Sequence, residues 1–368
     1  MRSVEQTRPR PGLSVPVVTA LDARGELLEA DQRALVRHVI QDGWGADIVF
    51  AAGTTGEWDR VPAELSRRVV RVCAEEVRKA NAALADAGPV ECWAGITAPT
   101  RGETLTNAIA AIAAGADALV LAPLAVRDAP DAVRFVARDL GDLLDASARR
   151  VPVYLYDNAS IATDPDRTHL RTKQVKALSR LDFVRGIKVS APMKVLGNYT
   201  QAARSFRERG AFGIYVGDAM LIFELFRPRT GLLGVLSDYW QRYWLAGELP
   251  IGVVSGPANA LPREWAHAWQ ACRAGDAERM DATERVLSAF RAATKAGGAS
   301  RTIACLKRAL LLQGVVPSDA VAPGTPALGA VEAAQFDAAF ERVRVLAREL
   351  LEPVSVTPSG VTPNEVTP

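Results

Sequence analysis

The chain has 368 residues, 49% of them hydrophobic, a length normal for an α/β barrel with extensions and sufficient to bury a sizeable core. Its 44 lysines and arginines nearly balance 42 aspartates and glutamates, leaving a net charge of +2 with no basic run or basic-aromatic interleaving, so no nucleic-acid partner is expected. The four cysteines, Cys73, Cys92, Cys272 and Cys305, are far apart and form no C-x-x-C pair, which argues for reduced thiols rather than zinc or redox chemistry.

Residues 1–12 carry charges without a following apolar stretch, so they read as a flexible arm and not as a secretory leader. The alanine-rich run 109–126 is interrupted by Gly115, Asp117 and Pro123 and reads as a helix end followed by a buried strand. A cytoplasmic protein with no membrane partner is expected.

From there the chain repeats one unit: a short apolar or β-branched run, a glycine-bearing loop and a helical stripe. Strands are predicted at Ser14–Val18, Asp47–Ala51, Val90–Ala94, Ala118–Leu121, Val153–Tyr156, Val184–Lys188, Phe212–Val216 and Gly252–Ser255. Helices are predicted at Glu29–Asp42, from near Pro62, and at Glu103–Ala114. Strands alternating with helices imply parallel pairing with right-handed crossovers, and eight such units predict a (β/α)8 TIM barrel over 13–261. An open doubly wound sheet is the alternative, but neither G-x-G-x-x-G nor G-x-x-x-x-G-K-[ST] is present. Helical stripes at 263–274, 277–295, 301–312 and 331–351 predict a C-terminal helical extension over 262–352. The Pro/Ser/Thr-rich residues 353–368 read as a disordered tail.

In such a barrel, functional groups gather at the carboxyl ends of the strands. Lys188 stands where the apolar sixth strand runs out. Burial makes an amine costly to keep charged and leaves part of it nucleophilic, as imine formation requires. Tyr156 ends the fifth strand and offers a phenol for proton transfer. After the second strand, Gly53-Thr54-Thr55-Gly56-Glu57 combines backbone N–H groups with two hydroxyls in a cradle suited to a carboxylate. Gly217 after strand seven and Ser255 at the end of strand eight complete the candidate substrate-binding set. His38, His169 and His267 lack partners at metal-ligand or triad spacing and read as surface or capping residues, so no metal site is expected. Asn158-Ala-Ser160 and Asn198-Tyr-Thr200 fit the glycosylation pattern by chance.

The order of Gly53-Thr-Thr-Gly-Glu57, Val151-Pro-Val-Tyr-Leu-Tyr-Asp-Asn158, Gly186-Ile-Lys188 and Val254-Ser-Gly-Pro-Ala-Asn259 resembles the dihydrodipicolinate synthase / N-acetylneuraminate lyase family over about Leu13 to Leu312. The resemblance implies a class I pyruvate-type aldolase or lyase. Lys188 would form a Schiff base with a 2-oxo acid, Tyr156 would shuttle protons, and Thr54 and Thr55 would hold the carboxylate. It also implies a homo-oligomer, dimer or tetramer, and no metal or organic cofactor.

This sequence departs from the synthases at three places. Their strand-four tyrosine, which reaches a neighbouring subunit, has no counterpart in Ala122-Pro-Leu-Ala-Val126. The proline three residues after the strand-five tyrosine is Ala159, and the arginine five residues after it, which serves a second carboxylate, is Ile161. Dihydrodipicolinate synthesis is therefore not expected. The stretch 219–250 is longer than in relatives of this kind; with Arg227, Arg229 and the aromatic run Tyr239–Trp244 it is expected either to cover the mouth and choose the substrate or to bury its aromatics against the C-terminal helices or another subunit.

Three readings follow: aldol addition or cleavage on a 2-oxo acid such as pyruvate, with or without an aldehyde as second substrate; dehydration of a 2-oxo-3-deoxy sugar acid on the same imine; or a non-catalytic barrel that binds a ligand. Retention of Lys188 and Tyr156 together favours an enzyme, because a pure binding protein needs no such pair.

Overall fold

The computed structural model describes residues 8–84, 89–203, 211–227, 249–295 and 301–351. Eight parallel strands, β1 (Gly12–Pro16), β2 (Ile48–Ala51), β3 (Glu91–Gly95), β4 (Ala118–Leu121), β5 (Val153–Asn158), β6 (Val184–Ser190), β7 (Gly213–Val216) and β8 (Gly252–Val254), pair in sequence order and close β8 onto β1. Nearly every strand residue is buried, because one face meets the barrel interior and the other the surrounding helices. The predicted TIM barrel is the observed fold, and all eight strands lie within two residues of their predicted bounds, with β5 and β6 each running two residues further.

The outer helices are α1 (Glu29–Ile40), α2 (Ala63–Ala83), α3 (Arg101–Ala114), α4 (Ala132–Arg134), α5 (Gly141–Ala146), α6 (Thr172–Leu178), α7 (Met193–Ala203) and α8 (Leu221–Phe226). After β8 follow α9 (Pro262–Ala274), α10 (Ala277–Lys295), α11 (Thr302–Leu312) and α12 (Ala330–Leu350). Helix α1 stops short of Asp42 because Gln41 and Asp42 turn left-handed, with φ of 51° and 52°. Helix α9 packs on β1 and α1, so it belongs to the ring of barrel helices and the extension proper starts at α10. Phe290 of α10 and Phe336 and Phe340 of α12 form the aromatic contact that joins the last helices, with ring centres 5.7 to 6.4 Å apart.

Among the described residues no helix is long and apolar enough to cross a membrane. Of the arm expected over residues 1–12, residues 8–12 are described: Pro9 is buried, and the Arg10 carbonyl accepts a 2.6 Å hydrogen bond from the Tyr215 hydroxyl on the barrel floor. The tail at 353–368 lies outside the described residues.

Inside the N-terminal half of the barrel, Trp93 stacks on Tyr154 at 3.8 Å and Tyr215 stands edge-on to both. Such rings fit only because the neighbouring inward positions carry no side chain. A Cβ at Gly186 would lie 2.5 Å from the Gly213 carbonyl oxygen and 2.9 Å from the Tyr154 ring. Since neither backbone nor a packed ring can retreat cheaply, Gly186→Ala is expected to destabilise the fold by about 1–3 kcal/mol. The measurement is the urea midpoint, and an unchanged midpoint would show that the barrel wall yields at this point.

Candidate active site

Strand β5 presents Tyr154, Tyr156 and Asn158 to the interior, and β6 presents Gly186, Lys188 and Ser190. Their level is set by a β-bulge: Val153 pairs with Val184 but Tyr154 pairs with Gly186, so the ladder gains one residue on β6 and brings Tyr156 opposite Lys188. Without that extra residue the register would slip by one and the two side chains would face opposite sides of the sheet.

Lys188 is 6% exposed. Its Nζ lies 4.0 Å from the centre of the Tyr156 ring and 5.2 Å from that of Phe50, so the amine is held against two aromatic faces above the aromatic floor. The Tyr156 hydroxyl is 3.3 Å from Thr54 Oγ1 and accepts a 2.8 Å hydrogen bond from Asn158 Nδ2. Burial pushes this phenol up, yet the Lys188 charge and hydrogen bonds with Thr54, Ser190 and Asn158 together outweigh it and leave the phenol below its ordinary value. The result is a phenol that yields its proton more readily than free tyrosine, next to a buried amine.

The Gly53–Glu57 loop bends sharply at both ends: Ala52 and Glu57 are left-handed without being glycine, at φ of 53° and 61°. Such residues persist only where the surroundings hold them, and they gather at functional sites. Thr54 to Gly56 form a single 3-10 turn, whose first N–H groups have no partner within the turn itself. Thr55 reaches across the mouth to the loop after β8, where a Cβ on Gly256 would lie 3.2 Å from its Oγ1.

What holds the loop is largely Glu57. Its carboxylate, fully buried, ion-pairs at 2.6 Å with Lys307 of α11 and accepts a 2.8 Å hydrogen bond from the Ala322 N–H. Lys307, 2% exposed, also donates to the Ala320 carbonyl at 2.8 Å. Burial drives the Lys307 ammonium below its ordinary value against the pull of Glu57. Thr19 adds a 2.7 Å hydrogen bond to the Gly56 carbonyl. The C-terminal extension is thus wired to the candidate carboxylate cradle.

Lys188, Tyr156, Thr54 and Thr55 therefore come together at one mouth, with Gly53 at the start of the same turn. Gly217 follows β7 beside them; a Cβ there would strike the Ser190 hydroxyl at 2.2 Å, so its glycine leaves room for a partner of Tyr156. Ser255 is buried at the end of β8, and its hydroxyl has no hydrogen-bond partner among the described residues. The Arg227 guanidinium ion-pairs with Asp281 and Glu284 of α10, which hold it charged, so it ties α8 to the C-terminal extension. Arg229 and Tyr239–Trp244 lie outside the described residues.

His169, expected as a surface or capping residue, is part-exposed, and its Nδ1 is 2.6 Å from the buried Asp157 carboxylate. His38 Nε2 lies 3.1 Å from the Asn259 carbonyl oxygen, a capping role as expected. The residues that sequence reasoning passed over are Asn158, Ser190, Phe50 and Lys307. The period of two along a strand could have found the first two, each placed two residues beyond a named group. Nothing local to α11 marks Lys307.

The model of the dihydrodipicolinate synthetase family matches residues 10–335. An uncharacterised DapA-like lyase of Halobacterium salinarum is 30% identical over 312 residues, covering 82% of this chain and 84% of that protein. A probable 5-dehydro-4-deoxyglucarate dehydratase of Pseudarthrobacter chlorophenolicus is 34% identical over 165 residues, 42% of this chain and 48% of its own. Among solved structures, a prophage protein of the dihydrodipicolinic acid synthase family from E. coli K12, in complex with pyruvate, superposes with a TM-score of 0.69 at 20% identity, covering 91% of this chain and 98% of the other.

Proposed function

The chain belongs to the dihydrodipicolinate synthetase family and is a lyase of the class I aldolase type, and from that premise we propose that Lys188 forms an imine with a 2-oxo acid such as pyruvate while Tyr156 relays protons. The observation that carries the proposal is the pairing of a buried amine, 4.0 Å from the centre of the Tyr156 ring, with a phenol bonded to Thr54 and Asn158.

The Lys188 nitrogen adds to the C2 carbonyl of the acid, and water leaves to give a protonated imine. That imine withdraws electrons from C3, so a C3 proton can depart to form an enamine. The enamine carbon attacks an aldehyde carbon, whose oxygen takes a proton through Tyr156. Water then hydrolyses the imine and frees Lys188 with a 4-hydroxy-2-oxo acid; cleavage runs the same steps in reverse. Thr54 and Thr55, with the leading N–H groups of their turn, receive the carboxylate of the acid, and Gly53, Gly217 and Ser255 shape the space around it. Carbonyl activation comes from the lysine, so the proposed chemistry uses no metal and no organic cofactor. All the named groups belong to one chain.

A second reading, dehydration of a 2-oxo-3-deoxy sugar acid, uses the same imine: loss of a C3 proton is followed by expulsion of a hydroxide that Tyr156 protonates. The relative named as a probable dehydratase favours it.

Borohydride reduction in the presence of pyruvate and a series of longer 2-oxo acids tests the imine. A reduced adduct on Lys188 by peptide mapping, absent in Lys188→Ala, is the expected result. Folded protein that acquires no adduct with any 2-oxo acid would leave a ligand-binding barrel as the better account.

A further inference from the structure

The far wall of the mouth is apolar. Tyr156, Ala122, Ala125 and Val254 belong to one interior cluster, against which Trp58 and Ile161, both partly buried, pack from the loops after β2 and β5. Ile161 occupies the place at which the synthases, by the resemblance drawn above, carry an arginine for a second carboxylate. Ala125, only 4% exposed, lies in the β4 loop that lacks their tyrosine. The β5 loop is fastened over that place, since Thr163 bonds to the Leu124 carbonyl through both its N–H and its hydroxyl at 3.0 Å.

We propose that the second substrate of this site is an aldehyde with an uncharged, apolar substituent, aromatic or branched-alkyl, seated between Trp58, Ala125 and Ile161. The inference rests on the aldol reading of Lys188 and names the partner of that reaction. A carboxylate set against these side chains would lose its water shell without gaining a cation from them, whereas an aryl or alkyl group gains contact with the indole and the isoleucine. The enamine carbon would form its new bond to the aldehyde carbon beside Lys188, with the aldehyde oxygen protonated through Tyr156, so only the substituent distinguishes one aldehyde from another.

The test compares benzaldehyde with glyoxylate as partners for pyruvate, following the 4-hydroxy-2-oxo acid product by mass and reading the ratio of the two kcat/KM values within each protein. In the unaltered chain, benzaldehyde is expected to be favoured by at least about tenfold, the scale on which apolar pockets discriminate. Ile161→Arg is expected to shift the ratio toward glyoxylate, and Trp58→Ala to lower it by weakening the aryl partner. Reading a ratio cancels any loss common to both aldehydes. Trapping of pyruvate on Lys188 in the same preparations separates the two ideas. An adduct together with a preference for glyoxylate, or with a ratio unmoved in Ile161→Arg and Trp58→Ala, overturns the apolar subsite alone. Absence of the adduct overturns the imine reading and the subsite with it.

Discussion

Tyr156→Phe is expected to lower kcat by about 10²–10⁴-fold, the usual contribution of a positioned proton-transfer group, while leaving KM for the 2-oxo acid within a few-fold. The substitution keeps the ring against which Lys188 Nζ rests and removes only the hydroxyl that meets Thr54 and Asn158. Burial by itself would raise the phenol, but Lys188 and the hydrogen bonds of Thr54, Ser190 and Asn158 turn the balance downward. A lowered phenol exists as phenolate at lower pH than free tyrosine, so the limb of the rate profile that needs a base should rise below the ordinary tyrosine range. Lys188→Met removes the charge that lowers it, and ultraviolet difference titration should then find the phenol titrating at higher pH. If Tyr156→Phe keeps kcat within a factor of a few, another group moves the proton and the role assigned to Tyr156 is lost.

The repeating strands were legible because each is a short apolar run, covered on both faces and closed by a loop, and such runs alternating with helical stripes survive in sequence without tertiary information. Lys188 and Tyr156 were legible for the same reason, since both stand at strand ends where a barrel collects its chemistry. Their alignment was not, because it depends on the bulge between Val153 and Tyr154, which leaves no composition signal. The partners of Arg227 were equally illegible. The insertion that holds it with Arg229 was expected either to cover the mouth or to lie against the C-terminal helices or another subunit, and Asp281 and Glu284 sit on a helix more than fifty residues away, where only the fold could bring them to Arg227. Glu57 entered the sequence reading only as the end of its loop, and its role as an anchor depends on Lys307, which no local pattern pairs with it.

Lys307→Met should destabilise the protein by about 3–5 kcal/mol, because it strands the fully buried Glu57 carboxylate without a counter-charge. Most of that loss is the cost of the orphaned charge and not the worth of the pair. Burial already drives Lys307 below its ordinary value despite Glu57, which is what a pair bearing a heavy desolvation cost does. The double variant Glu57→Gln with Lys307→Met should therefore recover much of the stability. Glutamine keeps the oxygen that accepts from the Ala322 N–H at 2.8 Å, and no ion remains buried. Urea unfolding of the three proteins measures the comparison. A double variant no more stable than Lys307→Met would mean that the lost lysine contacts, chiefly its bond to the Ala320 carbonyl, carry the effect. The consequence reaches the chemistry, since Glu57 ends the turn that presents Thr54 and Thr55, and its left-handed backbone at φ 61° needs that anchor. In folded Lys307→Met, KM for the 2-oxo acid should rise more than kcat falls, because the cradle loosens while Lys188 and Tyr156, on the rigid strands β6 and β5, keep their places.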